Sequence, residues 1–299
     1  MRTNFRFRVG IVADDLTSAA DGAGPFVARG MRARIGRRQP IGDGGDIVAA
    51  DSGSRSLAAA AAARRVAELT SQLAASEVLY KTVDSTLRGH VSAVMAAAFS
   101  NSGRKTLVFA PAFPAAGRTT AGGIQYVDGM PVSESAYGRD PVHPARTSSL
   151  ADLIPDGIGD VVLADAETQD ELNAKVAAFD DPRGILWVGS PGMAEALARR
   201  LAGTARVQKP FDAAAGGILV AIGTANPRSH RQADRIDGLA GVTVLRAPRE
   251  RQADPAEILA GGRPLMIAMK AGGFGDDDTL RRVYGRLRRE PIASKRALP

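Results

Sequence analysis

Cysteine is absent from the 299 residues. Disulfides, thiolate-held zinc and thiol nucleophiles are therefore excluded. Histidine is scarce, and His90, His143 and His230 stand far apart in the chain, which argues against a histidine-rich metal centre. No apolar run approaches the roughly 20 residues that span a bilayer as a helix. The first ten residues are polar and basic, and Asp14 and Asp15 interrupt the apolar run behind them. That pattern fits neither a signal peptide nor a membrane anchor. The expectation is a soluble, cytoplasmic protein.

What is present is ordinary for a globular protein: 44% hydrophobic and 24% charged residues, enough for two domains or one large one with an ample core. The net charge of +7 invites a nucleic-acid reading until it is located. Of 39 basic and 32 acidic residues, seven and one respectively fall in 281–299, so the other 280 residues are close to neutral. Only one aromatic residue, Tyr284, falls within that basic stretch to stack on bases, so nucleic acid is not an expected partner. Only six of the basic residues are lysine, which together with the alanine runs reads as compositional bias.

Along the chain, short apolar runs alternate with helical stretches. Strands are expected at 5–13, in 31–50 on either side of a Gly-rich turn, at 77–80, 106–110, 161–164 and 185–188. Helices are expected from Thr17 or Ser18 as cap to about residue 29, and at 58–75, 91–99, 169–179 and 192–201. Ile124 to Val132 reads as a hairpin around Asp128-Gly129. Residues 133–149 form a long irregular stretch of the kind that is often functional. Residues 203–217 read as a linker, followed by strands at 218–222, 242–245 and 265–269 and helices at 228–239, at 255–259 and from about 276. The pattern implies an α/β protein with two doubly wound, mostly parallel domains, the second abbreviated. The expected boundaries are 1–208 and 217–299.

The densest polar stretch is Lys81-Thr82-Val83-Asp84-Ser85-Thr86-Leu87-Arg88-Gly89, a turn between a strand and a helix. In open α/β sheets, ligands bind beyond the carboxyl ends of the strands. Asp14-Asp15, Asp51 to Arg55 and Arg118-Thr119 stand at other strand ends. Each alone has a plain structural reading: a helix cap, a turn, a surface cation. Together they offer carboxylates, cations and hydroxyls, the mixture needed by a small polyhydroxylated acid. A carboxylate there could also act as base toward a hydroxyl. The second half differs. Gly223-Thr224-Ala225-Asn226-Pro227 and Gly272-Gly273-Phe274-Gly275 sit between strand and helix, where backbone N–H groups can approach phosphate. Neither is a Walker loop or a dinucleotide fingerprint.

Several of these segments resemble the four-carbon acid sugar kinase family. They are Val12 to Asp21 with its Asp14-Asp15-Leu16-Thr17 core, the Lys81 to Gly89 turn, and Pro111-Ala112-Phe113-Pro114 with Gly117-Arg118-Thr119. Tyr126 to Gly129, Asp140-Pro141-Val142-His143-Pro144 and Lys270 to Gly275 complete the set, in family order. The resemblance implies ATP-dependent phosphorylation of threonate, erythronate or 3-oxo-tetronate, with Mg²⁺ carried on the ATP phosphates and no separate metal site. It implies an N-terminal domain for the sugar acid and a C-terminal domain for the nucleotide. The matching positions give Asp14, Asp15, Ser54, Arg55, Lys81, Asp84, Ser85, Arg88 and Arg118 as substrate-binding. Asp15, Lys81 and Asp84 are the expected catalytic groups. Thr224, Asn226, Gly272 and Gly273 are the expected nucleotide-binding ones. A homodimer is compatible with this pattern.

This chain departs from the family at four places. Ser18 replaces a glycine, Val94 stands where a glutamate is usual, and Gly223-Thr224-Ala225-Asn226 replaces Gly-Ser-x-Ser. Between that loop and Lys270 only roughly 40 residues intervene, without the family's Gly-Gly-Asp/Glu-Thr loop. Phosphoryl transfer depends on positioning and charge stabilisation, so the alternative reading is a non-catalytic or partner-dependent sugar-acid binder.

Overall fold

The computed structural model describes residues 7–41, 45–140, 143–204, 219–222, 227–236, 243–247 and 265–269. The chain divides into two compact units, Met1–Gln208 and Lys209–Pro299.

In the first unit the strands are β1 (Val9–Ala13), β2 (Ala33–Arg37), β3 (Ile47–Asp51), β4 (Val78–Thr82), β5 (Thr106–Ala110), β6 (Arg118–Ala121), β7 (Ile124–Val127), β8 (Met130–Pro131), β9 (Asp160–Leu163) and β10 (Ile185–Gly189). The helices are α1 (Leu16–Val27), α2 (Ala59–Leu73), α3 (Val91–Ser102), α4 (Gln169–Ala177) and α5 (Pro191–Ala202). Seven strands form one sheet in the order β2-β3-β1-β4-β10-β5-β9. Every neighbouring pair in it is parallel. The remaining three, β6, β7 and β8, form a small antiparallel sheet.

Both faces of the large sheet are apolar, and alternate residues of one strand serve separate cores. Val9, Ile11 and Ala13 of β1 pack with Ala19, Ala23 and Phe26 of α1 and with Met193 and Leu197 of α5. Val12 points the other way, toward Ala62, Val66 and Leu69 of α2 and Met95 of α3. Period-two alternation on strands and a spacing of three or four on helices produce this sandwich. Each large side chain buried contributes about 1.5–3 kcal/mol, and Trp187, Tyr80 and Phe26 are fully enclosed.

The topology places a crevice. From β1 the chain turns into α1 on one face and moves outward to β2. From β4 it turns into α3 on the other face and moves toward β5. The gap beyond the carboxyl ends of adjacent β1 and β4 is a topological switch point, where α/β proteins hold ligands.

Three local expectations change. Asp15, not Thr17 or Ser18, caps α1, and its carboxylate accepts from the Ser18 N–H at 2.7 Å. Lys81 and Thr82 are the last residues of β4 instead of turn residues, with Lys81 paired in register with Val12 and Val188. Arg118 and Thr119 belong to β6, paired with Val127 and Tyr126, so the proline-rich loop is shorter than expected. The hairpin turn follows the sequence: Asp128 and Gly129 take φ of 50° and 80°, the left-handed pair that a tight hairpin requires.

The second unit contains β11 (Leu219–Ile222), α6 (Pro227–Ile236), β12 (Thr243–Ala247) and β13 (Leu265–Met269). Its three strands are parallel in the order β11-β13-β12. The expected helices at 255–259 and from 276, the linker from 205 onward and the glycine-rich 270–275 lie outside the described residues.

Candidate functional site

Three strand ends bring the charged residues together. Asp14 and Asp15 follow β1, Ser54 and Arg55 follow β3, and Lys81 to Arg88 close β4. Because β1 lies between β3 and β4 in the sheet, the three loops are neighbours. Ser54 and Arg55 bind back to β1's loop: their N–H groups donate to the Asp14 carbonyl at 2.9 and 3.4 Å. The Arg55 guanidinium then joins Asp14 at 2.8 Å, Asp15 at 2.6 Å and the Ser18 hydroxyl at 3.1 Å.

Lys81 is 1% exposed, and its Nζ donates to the Thr82 carbonyl. Burial lowers its pKa to about 8, against the raising pull of Asp14 and Asp15, while Arg55 adds to the lowering. Asp14 shows the counterpart. Burial pushes its carboxyl up, but Lys81, Arg55 and Ser18 more than reverse that and hold it below the ordinary carboxylate value. At neutral pH a buried ammonium feels the charge of the Asp14 carboxylate without an ion-pair contact to it, and it stands close enough to titration to lose its proton slightly above neutrality.

The turn after β4 is built locally. One Asp84 oxygen accepts from the Thr86 N–H at 2.9 Å and its hydroxyl at 2.8 Å. The other takes Arg88 through Nε at 2.8 Å and Nη2 at 2.7 Å. Leu87 accepts a φ of 55° to close the turn. Arg88 reaches on to Asp140 at 3.1 Å and lies over the Tyr137 ring at 5.2 Å. Arg118 approaches the other way, donating to the Tyr137 hydroxyl at 3.0 Å. The irregular stretch 133–149 thus contributes Tyr137 and Asp140 to the rim.

Two connected hollows result. A tight one is walled by Asp14, Ser54, Lys81 and Asp84 and by the apolar Ala62, Val91 and Val94. Beside it a cleft of about 210 Å³ is lined by Thr17, Asp21, Tyr80, Ser85, Phe113 and Arg118, and both share Arg55, Thr82 and Arg88. Its volume lies below the roughly 300 Å³ at which drug-sized pockets begin, which suits a small metabolite. Asp14 Oδ1, Thr82 Oγ1 and Arg118 Nε are buried without a hydrogen-bond partner among the described residues.

Of the substrate-side residues named from the sequence, all but Asp15 line these hollows, with different roles, while Asp15 caps α1 and pairs with Arg55. Ser54 is 2% exposed and its hydroxyl accepts from Ser52 at 2.8 Å, so it braces the loop. The backbone carbonyl of Ser85 receives the Gln125 amide at 2.8 Å. Thr82, Tyr80, Asp21, Tyr137 and Asp140 were not anticipated as site residues. Tyr80 reads as strand, Thr82 as part of the polar turn without a named role, and Asp140 as part of a family motif without an assigned task. Val94 is 7% exposed and presents a methyl wall where the family resemblance places a glutamate. Thr224, Asn226, Gly272 and Gly273 lie outside the described residues. Among the described residues no cluster of three or more metal-ligating side chains occurs, and no helix is long and apolar enough to cross a membrane.

The fold and the strand-end site define an α/β protein of the sugar-binding class: residues 9–159, just over half of the chain, match the family model described as a sugar-binding N-terminal domain. The chain is 34% identical over 275 residues to a D-threonate kinase of Cupriavidus necator, the match covering 80% of this chain and 65% of the kinase. It is 29% identical over 297 residues to a 3-oxo-tetronate kinase of Methylobacterium radiotolerans, covering 85% and 68%. A solved domain of unknown function from Bordetella bronchiseptica, with bound citrate and as a domain-swapped dimer, shares 28% identity at a TM-score of 0.58, covering 94% of this chain and 79% of that one. The chain belongs to the four-carbon acid sugar kinase family. It spans about 65% of the length of the D-threonate kinase.

Proposed function

We propose that this chain binds a four-carbon sugar acid in the crevice beyond β1 and β4 and phosphorylates one of its hydroxyls with ATP. One observation carries the binding half: Asp14 Oδ1 and Thr82 Oγ1 are buried and unpartnered among the described residues, in a hollow that a buried lysine also lines. An unsatisfied buried polar atom costs about 1–3 kcal/mol, a cost that a polyhydroxylated ligand removes by supplying donors and acceptors. In this reading Arg55, Arg88 or Arg118 holds the ligand carboxylate. Asp15 or Asp84 orients and deprotonates the acceptor hydroxyl. Lys81 offsets negative charge that develops there. The names of both kinase relatives support the reading.

ATP with Mg²⁺ on its phosphates supplies the phosphoryl group when bound. The residues that would hold it, Thr224, Asn226, Gly272 and Gly273, suit the task by type: a hydroxyl, an amide and glycines that free backbone N–H groups. The three-stranded parallel sheet with α6 after β11 is a framework on which such loops are common. A homodimer is part of the proposal, by analogy with the dimeric relative of known structure.

The second reading, a binder that leaves phosphorylation to a partner, is favoured by the short span between Gly223 and Lys270. Calorimetry separates them. Titration with D-threonate or D-erythronate is expected to release or absorb heat saturably, and so is titration with ATP–Mg²⁺. Sugar-acid binding without ATP binding would leave the binder. ATP turnover without a sugar-acid requirement would remove both.

A further inference from the structure

Two guanidiniums of the crevice are already occupied by the protein's own carboxylates, whereas Arg118 donates to the Ala116 carbonyl and the Tyr137 hydroxyl. Arg55 carries Asp14 and Asp15, and Arg88 carries Asp84 and Asp140. A ligand carboxylate that takes Arg55 or Arg88 must therefore displace one of these four carboxylates. The four differ in how firmly they are held. Asp14 and Asp84 are the more enclosed, with side chains 14% and 9% exposed. Asp15 caps α1 through Ser18, so its departure would expose a helix end. Asp140 sits on irregular backbone, is 22% exposed against 31% for Asp15, accepts the His143 N–H at 2.9 Å, and makes the longest of the four ion contacts at 3.1 Å. When it leaves, Arg88 keeps its two-point pair with Asp84.

We propose that Asp140 is an internal competitor of the ligand: its carboxylate occupies the Arg88 edge that the sugar-acid carboxylate takes on binding. Arg88 is held for that exchange. Asp84 grips Nε and Nη2, and Tyr137 lies under the plane, which leaves the Nη1 edge as the exchangeable one. The guanidinium stays neutralised and oriented before the ligand arrives, and the displaced Asp140 goes to solvent at the rim. The cost is affinity. Asp140 thereby sets the acid concentration at which the site fills and discriminates against neutral polyols, which cannot replace a carboxylate on that edge. This inference rests on the sugar-acid reading above.

The test is D-threonate calorimetry on the wild-type chain, D140N and D140E. D140N is expected to bind two- to fivefold more tightly, roughly the effect of removing a partly exposed ion pair, and D140E to bind like the wild type. Threitol, the neutral analogue, is expected to show no such gain. A uniform electrostatic effect of the lost charge is separated by hydrogen exchange on the wild type. The His143 N–H donates to Asp140 Oδ1 at 2.9 Å, so exchange at this amide is expected to rise when threonate is added. Weaker or unchanged threonate binding by D140N, or protection of His143 by the acid, would overturn the inference. A wild-type chain that binds threonate while D140N fails to tighten removes only the role of Asp140. A wild-type chain that binds none of the four-carbon acids removes the sugar-acid reading and this inference with it.

Discussion

After β1, Asp14 takes a guanidinium 41 residues away, that of Arg55 at 2.8 Å. After β4, Asp84 takes one four residues on, that of Arg88 at 2.7 Å. The chemistry is the same and the mechanics differ. The first pair sews the β1 and β3 loops together and lies beside a buried lysine. The second shapes a single turn and would close it with little help from the rest of the fold. The difference assigns distinct work to two Asp–Arg pairs at one sheet end: the long-range pair keeps the crevice assembled, and the local one presents a cation to it.

That contrast can be broken by experiment. The largest effect is expected from Asp14→Ala, which strips the buried Lys81 of its chief counter-charge. Loss of one partner from a buried pair typically costs about 3–5 kcal/mol, so the urea midpoint should fall sharply. A shift under about 1 kcal/mol would show that Lys81 does not depend on Asp14. Next comes Asp84→Ala, expected to weaken sugar-acid binding by about 100-fold, the scale of a lost charge-assisted contact of 1.5–3 kcal/mol. Its stability should change less than that of Asp14→Ala. Equal losses of stability would erase the distinction between the two pairs.

Titration sharpens the comparison further. Because burial holds Lys81 at about 8 against an ordinary 10.5, its charged form is penalised in the folded state. Stability should therefore rise from pH 8 toward 10, and Lys81→Met should lack that component. Affinity for the anionic ligand should move the opposite way, falling by up to about tenfold per pH unit above 8 as the ammonium is lost. A flat affinity profile from pH 7 to 9 would place the ligand charge away from Lys81. The smallest effect belongs to Arg55→Lys. It keeps the charge and loses the fork that spans Asp14 and Asp15, and a partly exposed pair of this kind is worth below about 1 kcal/mol. A larger drop in thermal midpoint than for Arg88→Lys would support the sewing role.

Much of the first unit was legible because its signals are local. Thr106 to Ala110 is an apolar β-prone run that becomes β5 with the same bounds. Asp128-Gly129 states its own turn. Charged clusters after apolar runs pointed to strand ends, and α/β architecture places strand ends at one edge of the sheet. Less legible were residues whose role depends on neighbours remote in sequence. Lys81 looked like the first residue of a polar turn, since nothing within a few residues of it reveals that β1 and β10 flank it on both sides. Tyr137 and Asp140 sit in a stretch without periodicity, and only folding lays that stretch against Arg88 and Arg118. Asp15 competed with Thr17 and Ser18 for the same cap, a choice made by backbone geometry.

By itself, then, the order of residues determined the α/β alternation, the hairpin and the family, because those are written in periodicity, turn chemistry and contiguous motifs. The tertiary structure decided the burial of Lys81, the pairing of Asp14 with Arg55 and the meeting of Arg88 with Asp140. Each of these depends on strand order and on the path of a long loop, and neither quantity is encoded within any one segment.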